Sequence, residues 1–110
     1  MMEKDNSVFI KHILDSINAI EDFSKDISKD KLESSRLIQS AVVREIQIIG
    51  EAVKNISTSF KQEHSEIPWK EIMGTRDKMI HHYFGVDLDI LWNIIKKDLP
   101  LLKKQLINLE

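Results

Sequence analysis

The chain has no cysteine, and only three glycines, two prolines and one tyrosine among its 110 residues. Without a thiol there is no disulfide, no cysteine nucleophile and no cysteine-ligated zinc, and the composition fits a reducing compartment. Scarce glycine and proline leave few breaks in the chain, which suits long helices. No segment approaches the roughly 18 to 20 apolar residues that a membrane span needs. The opening MMEKDNSVFIKHILDS lacks the apolar core of a signal peptide, because Lys11 and His12 interrupt it. A soluble, cytoplasmic protein without a membrane partner is the expectation. Positive charge is also not in excess: the formal net charge is −2 and the pI about 6.1. Any contact with nucleic acid must therefore be local, or come from a groove built by more than one chain.

The residues that are present describe an ordinary globule, 42% hydrophobic and 31% charged. A chain of this length supports one core, so a single domain over residues 1–110 is expected. Ile10, Ile13, Ile17 and Ile20 recur at helical spacing, with Asp5, Asn6 or Ser7 as the expected cap and the helix fading near Phe23 to Lys25. Ser24 to Ser35 is polar and reads as a connection with one helical turn. Leu37, Ile38, Ala41, Val42, Glu45, Ile48, Ile49, Ala52, Val53 and Ile56 trace a broad buried face on a second, long helix, with Gly50 inside it. Ser57 to Glu63 extends that helix or forms a separate piece.

Pro68 suits the first turn of a short helix over Trp69 to Met73, after which Gly74 is expected to break the chain and Thr75 to cap the next helix. Gly85 ends that helix and Asp87 caps the last segment. There Ile90, Leu91, Ile94, Ile95, Leu99, Leu102 and Leu106 are expected inward, with a kink near Asp98 imposed by Pro100. No stretch with strand periodicity competes. The predicted fold is an all-α bundle of four to five helices.

Chemistry concentrates in Arg76-Asp77-Lys78-Met79-Ile80-His81-His82-Tyr83. Arginine offers a planar, permanently charged fork for phosphate, and histidine exchanges a proton near neutral pH. Together they meet the minimum for cutting an RNA phosphodiester without a metal, one group moving protons and the other stabilising charge on phosphorus. Spacing constrains the pair. Arg76 and Tyr83 nearly eclipse on a helix, whereas His81 stands about 140° from Arg76. Either the helix unwinds toward Gly85, or the groups converge between two chains, as in a symmetric dimer. By residue type alone, an arginine and a histidine on an amphipathic helix are more often surface groups, and a tyrosine beside Phe84 is more often a packing residue.

Arg-x-x-x-x-His-x-Tyr, preceded by Ile67-Pro68-Trp69-Lys70-Glu71-Ile72-Met73-Gly74, resembles the signature of the HepT-like ribonucleases, toxins of the HEPN superfamily. Tyr83-Phe84-Gly85-Val86-Asp87, Trp92 with Asp98-Leu99-Pro100, and Ile48-Ile49-Gly50-Glu51-Ala52 are similar to further blocks of that family, so the resemblance spans residues 7 to 106. It implies a HEPN-like symmetric homodimer that cleaves RNA without metal or cofactor at a dimer cleft. It also implies a toxin–antitoxin pair of type VII-like character, in which an MNT-type nucleotidyltransferase antitoxin transfers AMP to Tyr83. Arg76 is then the phosphate-binding residue, His81 the proton-transfer residue and Tyr83 the switch. His82 stands where many relatives carry a small residue and competes with His81. Asp77 either orients a histidine, pairs with Arg76, or is a favourable first-turn charge. The alternative is a non-catalytic helical module that binds a nucleotide or serves as the substrate-binding subunit of a nucleotidyltransferase.

Remaining candidates read as structural. His64, His81 and His82 match no zinc spacing. Glu45 and Glu51 lie on different faces of the long helix. Lys96, Lys97, Lys103 and Lys104 form a solvated basic end, balanced by Asp98 and Glu110. Trp69 and Trp92 are expected as core or interface anchors.

Overall fold

Residues 2–81 and 87–109 are described in the computed structural model, with side chains described for 6–75 and 87–109. Over these residues the chain is built of helices joined by short connections: α1 (Met2–Ser24), α2 (Lys29–Ser34), α3 (Arg36–Asn55), α4 (Thr58–Glu63), α5 (Trp69–His81), α6 (Leu88–Asn93) and α7 (Leu99–Ile107). A π-helical turn, Ile94–Asp98, joins α6 to α7 without a break. The expected four to five helices become four long columns, α1, α3, α5 and α6–α7, supplemented by the single short helices α2 and α4. No strand occurs among the described residues.

The isoleucine stripe of α1 is the centre of the core: Ile10, Ile13, Ile17 and Ile20 are all buried, against Val42, Ile46, Ile49 and Val53 of α3 and Leu91, Leu102 and Leu106 of the last column. Burying each such side chain is worth about 1.5 to 3 kcal/mol, which makes this seam the main stabilising element. α1 and α3 run in opposite directions, because Asn6 near the start of one meets Ser57 just beyond the end of the other. The buried Asn6 accepts from the Ser57 amide at 3.0 Å and donates to its hydroxyl at 3.2 Å. Ser57 Oγ in turn accepts from the Phe60 amide and caps α4. Asn6 is therefore not the cap of α1, as its composition suggested. The helix begins at Met2, and Asn6 lies inside it as a buried clamp.

α2 and α3 follow each other directly. Ser28 caps one and Ser35 the other, and the Gln39 amide donates to the Leu32 and Glu33 carbonyls left over at the end of α2. Lys29 pairs with Asp89 and ties α2 to α6. Its hydrogen bond to Asp89 raises the Lys29 ammonium above the ordinary lysine value, against an opposing effect of desolvation. A raised folded-state value means that this small, exposed contribution is complete below pH 10.5 and disappears as pH climbs through the higher folded value.

Of the buried face predicted for α3, Val42, Ile49, Ala52, Val53 and Ile56 are buried and Ile38, Ala41, Glu45 and Ile48 half-buried, whereas Leu37 is 81% exposed. Ile90, also expected inward, is 43% exposed at the start of α6. Asp87 caps α6 as expected, accepting from the Asp89 and Ile90 amides. The irregularity foreseen at Pro100 takes the form of the π turn. Proline has no N–H for the Lys96 carbonyl, and the chain widens just ahead of it, Leu99 N–H reaching the Ile94 carbonyl five residues back.

Candidate active site

The helix that carries the motif is anchored at its start. Ile67 and Trp69 are buried, the Trp69 indole donates to the His64 carbonyl at 3.0 Å, and its ring meets Phe60 edge-on. The Pro68 carbonyl accepts from the Ile72 amide at 3.0 Å and starts the helical ladder. Ile72 and Met73 then pack half-buried against the core, laying α5 along α3.

Gly74 does not break the chain and Thr75 does not cap a new helix. α5 runs uninterrupted from Trp69 to His81. The Thr75 hydroxyl donates backward to the Glu71 carbonyl at 3.0 Å, the bond of a helix-interior threonine. A Cβ on Gly74 would meet nothing within 4 Å, so no close approach demands glycine there. Packing of Trp69 and Ile72 against α3 outweighs the roughly 1 kcal/mol that a helical glycine costs.

Arg76, Asp77 and His81 thus share one regular helical backbone. Their positions set Arg76 and His81 about 140° apart around the axis and about 7.5 Å apart along it. The backbone is α-helical from Arg76 to His81, and the unwinding toward Gly85, one of the two routes to convergence, lies beyond His81 outside the described residues. His82, Tyr83 and Gly85 lie outside the described residues.

The other charged candidates are engaged elsewhere. Lys103 pairs with Glu21 at 2.7 Å, rather than with the acids of its own segment, and Lys96 sits 4.7 Å from the centre of the Trp92 ring. His64 stacks on Phe60 with ring centres 4.5 Å apart. Among the described residues no group of three or more His, Asp or Glu side chains is arranged to hold a metal. Nor is any described helix long and apolar enough to cross a membrane.

Two concavities flank α3. One, of about 400 Å³, lies between α1 and α3 and includes Phe9, His12, Arg44, Ile48, Glu51 and Asn55. The other, of about 360 Å³, runs between α3, α5 and α7 over Ile46, Ile72, Leu99 and Leu102, with exposed Glu71 and Asp98 beside it. Gln105 also lines this second groove, and its Oε1 is buried without a hydrogen-bond partner. Sequence reading assigned neither groove a role. The polar residues beside the first groove, Arg44, Glu51 and Asn55, lie next to the stronger buried stripe of α3 that drew the sequence reading.

These features define an all-α, HEPN-like domain. The ribonuclease HepT-like family matches residues 13–109, and the chain belongs to that family. Among its relatives is a Methanocaldococcus jannaschii protein named "Gamma-glutamylcyclotransferase and putative RNase", 44% identical over 108 residues, covering 98% of this chain and 49% of that protein. "Probable ribonuclease HepT" of Thermococcus cleftensis is 43% identical over 102 residues, 93% of each chain. The chain spans about half the length of the first relative and nearly all of the second. No solved structure matches it.

Proposed function

We infer that the chain is a metal-independent RNA endonuclease, the toxin of a toxin–antitoxin pair, acting as a homodimer in the cytoplasm. The observation that carries this reading is a family match over residues 13–109 that encloses Arg76 and His81 at their motif spacing on one unbroken helix. In the reaction the RNA 2′-hydroxyl attacks the adjacent phosphorus and the bond to the 5′-oxygen breaks. His81 takes the proton of the attacking hydroxyl or supplies that of the leaving oxygen, and Arg76 stabilises the charge gathering on the phosphoryl oxygens. A separation of about 140° on one helix favours a cleft to which two chains contribute.

Regulation follows from the same residues. An MNT-type nucleotidyltransferase partner would join the Tyr83 phenol oxygen to the α-phosphorus of ATP, releasing pyrophosphate and the phenol proton. AMP at position 83 places negative charge and bulk seven residues from Arg76, where the RNA phosphate has to sit. His82 and Asp77 are assigned supporting roles, holding or orienting the acting imidazole.

The test is cleavage of a fluorescent RNA in EDTA. Wild-type protein should cut, and Arg76→Ala and His81→Ala should each be slower by about a hundredfold or more. Undiminished cutting by both variants would remove the assignment. A wild-type protein that binds but never cuts would favour the non-catalytic module.

A further inference from the structure

The groove between α1 and α3, about 400 Å³, gathers groups that the reaction at Arg76 and His81 does not use. Phe9 and His12 follow each other by one helical turn on α1, their rings edge to face with centres 6.2 Å apart. Phe9 is half-buried and His12 exposed. Arg44 borders the groove from α3, is exposed, and makes no ion pair among the described residues. Ile48 and Ala52 add apolar surface, and Gln47 and Asn55 add side-chain amides. The Asn55 amide donates to the Glu51 carbonyl at 2.8 Å, which leaves its oxygen to accept from a ligand.

We propose that this groove holds one nucleotide of the RNA strand away from the point of cleavage, with its phosphate on Arg44 and its base against Phe9 and His12. The inference rests on the ribonuclease reading and deepens it. A single-stranded nucleotide asks for a cation at its phosphate, ring surface at its base, and donors or acceptors at the base edge. The guanidinium fork of Arg44 matches phosphate oxygens. Two rings and the apolar floor of Ile48 and Ala52 match the base, and the amides reach its edge. Stacking accepts any base, since each has a flat face, so the groove holds the strand without choosing its sequence.

Charge gives the nucleotide a direction. Counting six residues from the Asn6–Ser57 contact along each antiparallel helix places His12 level with Glu51. Glu51 lines the groove there and is already engaged within the chain. It lies about 10 Å along α3 from Arg44, roughly one screening length away. A phosphate is therefore drawn to the Arg44 end and repelled from the aromatic end. The other groove does not suit this ligand, because its exposed charges are the acids Glu71 and Asp98 and no aromatic ring lines it among the described residues. Both α1 and α5 pack on α3. Packed helices lie about 8 to 10 Å apart, so a strand in the groove is one helix away from the backbone of Arg76 and His81.

Anisotropy with a short 2′-O-methylated RNA, which lacks the attacking hydroxyl, and cleavage kinetics with unmodified RNA test this on the full chain. Arg44→Ala should weaken binding about tenfold, the loss of a charged hydrogen bond. It should also flatten the dependence of log Kd on log salt by about 0.7, one single-strand phosphate contact. His12→Ala, and Phe9→Leu, which keeps apolar volume in the packing, should each weaken binding about fivefold or more. In cleavage KM should rise by the same factors while kcat stays at the wild-type value. Wild type that does not bind the oligonucleotide, or natively folded variants that bind as wild type does, would overturn the proposal. So would a fall in kcat at unchanged KM, or adenosine monophosphate binding as tightly as the strand. If binding follows the pattern but wild type never cuts, the groove stands and the ribonuclease reading falls. If wild type cuts and no variant changes KM, the groove falls alone.

Discussion

The two halves of α5 differ in kind on one continuous helix. The first, Trp69 to Thr75, is held by burial: Trp69 is 7% exposed, hydrogen-bonded through its indole and wedged against Phe60. The second, Arg76 to His81, carries the residues suited to phosphate and proton chemistry, on backbone whose direction is set by the first. A helix secured at one end fixes the direction of the backbone at the other. The comparison teaches that stability and catalysis should respond to different substitutions only a few residues apart.

Trp69→Ala should give the largest change in stability, about 3 to 5 kcal/mol less in urea unfolding, because it empties a packed site and leaves the His64 carbonyl with the Ile67 amide alone. Arg76→Ala, by contrast, should leave the unfolding midpoint close to wild type while removing RNA cleavage. A large stability loss at Arg76, or none at Trp69, would erase the distinction between the halves.

Asn6→Ala probes a buried clamp far from α5 in sequence. It should cost about 1 to 3 kcal/mol, since the Ser57 amide and hydroxyl lose their partner together. Cleavage per folded molecule should not change. Gly74→Ala, at the boundary between the halves, should be the smallest effect and a gain: about 0.5 to 1 kcal/mol, read as a rise in melting temperature of a few degrees. The open space around that position predicts the gain. A loss would mean that Gly74 bends when the protein works.

Period-based features were readable in advance. The stripes of α1 and α3, the Ser24 to Ser35 connection and the Asp87 cap depend on local spacing and side-chain chemistry, and they appear where expected. The misreadings arose where distant contacts override local signals. Gly74 and Thr75 look like a boundary, but the packing of Trp69 and Ile72 on α3 carries the helix through them. Asn6 looks like a cap, yet its partner is 51 residues away. Leu37 continues the apolar pattern of α3 but is exposed. At the candidate site, residue types left Arg76 and His81 open and the family resemblance gave them roles; the backbone between them is an unbroken helix. Cooperation between chains cannot be read from one chain's periodicity.

The central claim is that Arg76 and His81 from two chains meet to cut RNA, and mixing two inactive variants tests it most directly. Arg76→Ala and His81→Ala subunits, co-expressed or refolded together, should form mixed dimers in which one arginine faces one histidine across the cleft. The account predicts that RNA cleavage in EDTA returns in the mixture to a substantial fraction of the wild-type rate, with each variant alone inactive. A mixture confirmed to contain mixed dimers, yet no more active than either variant, would contradict it.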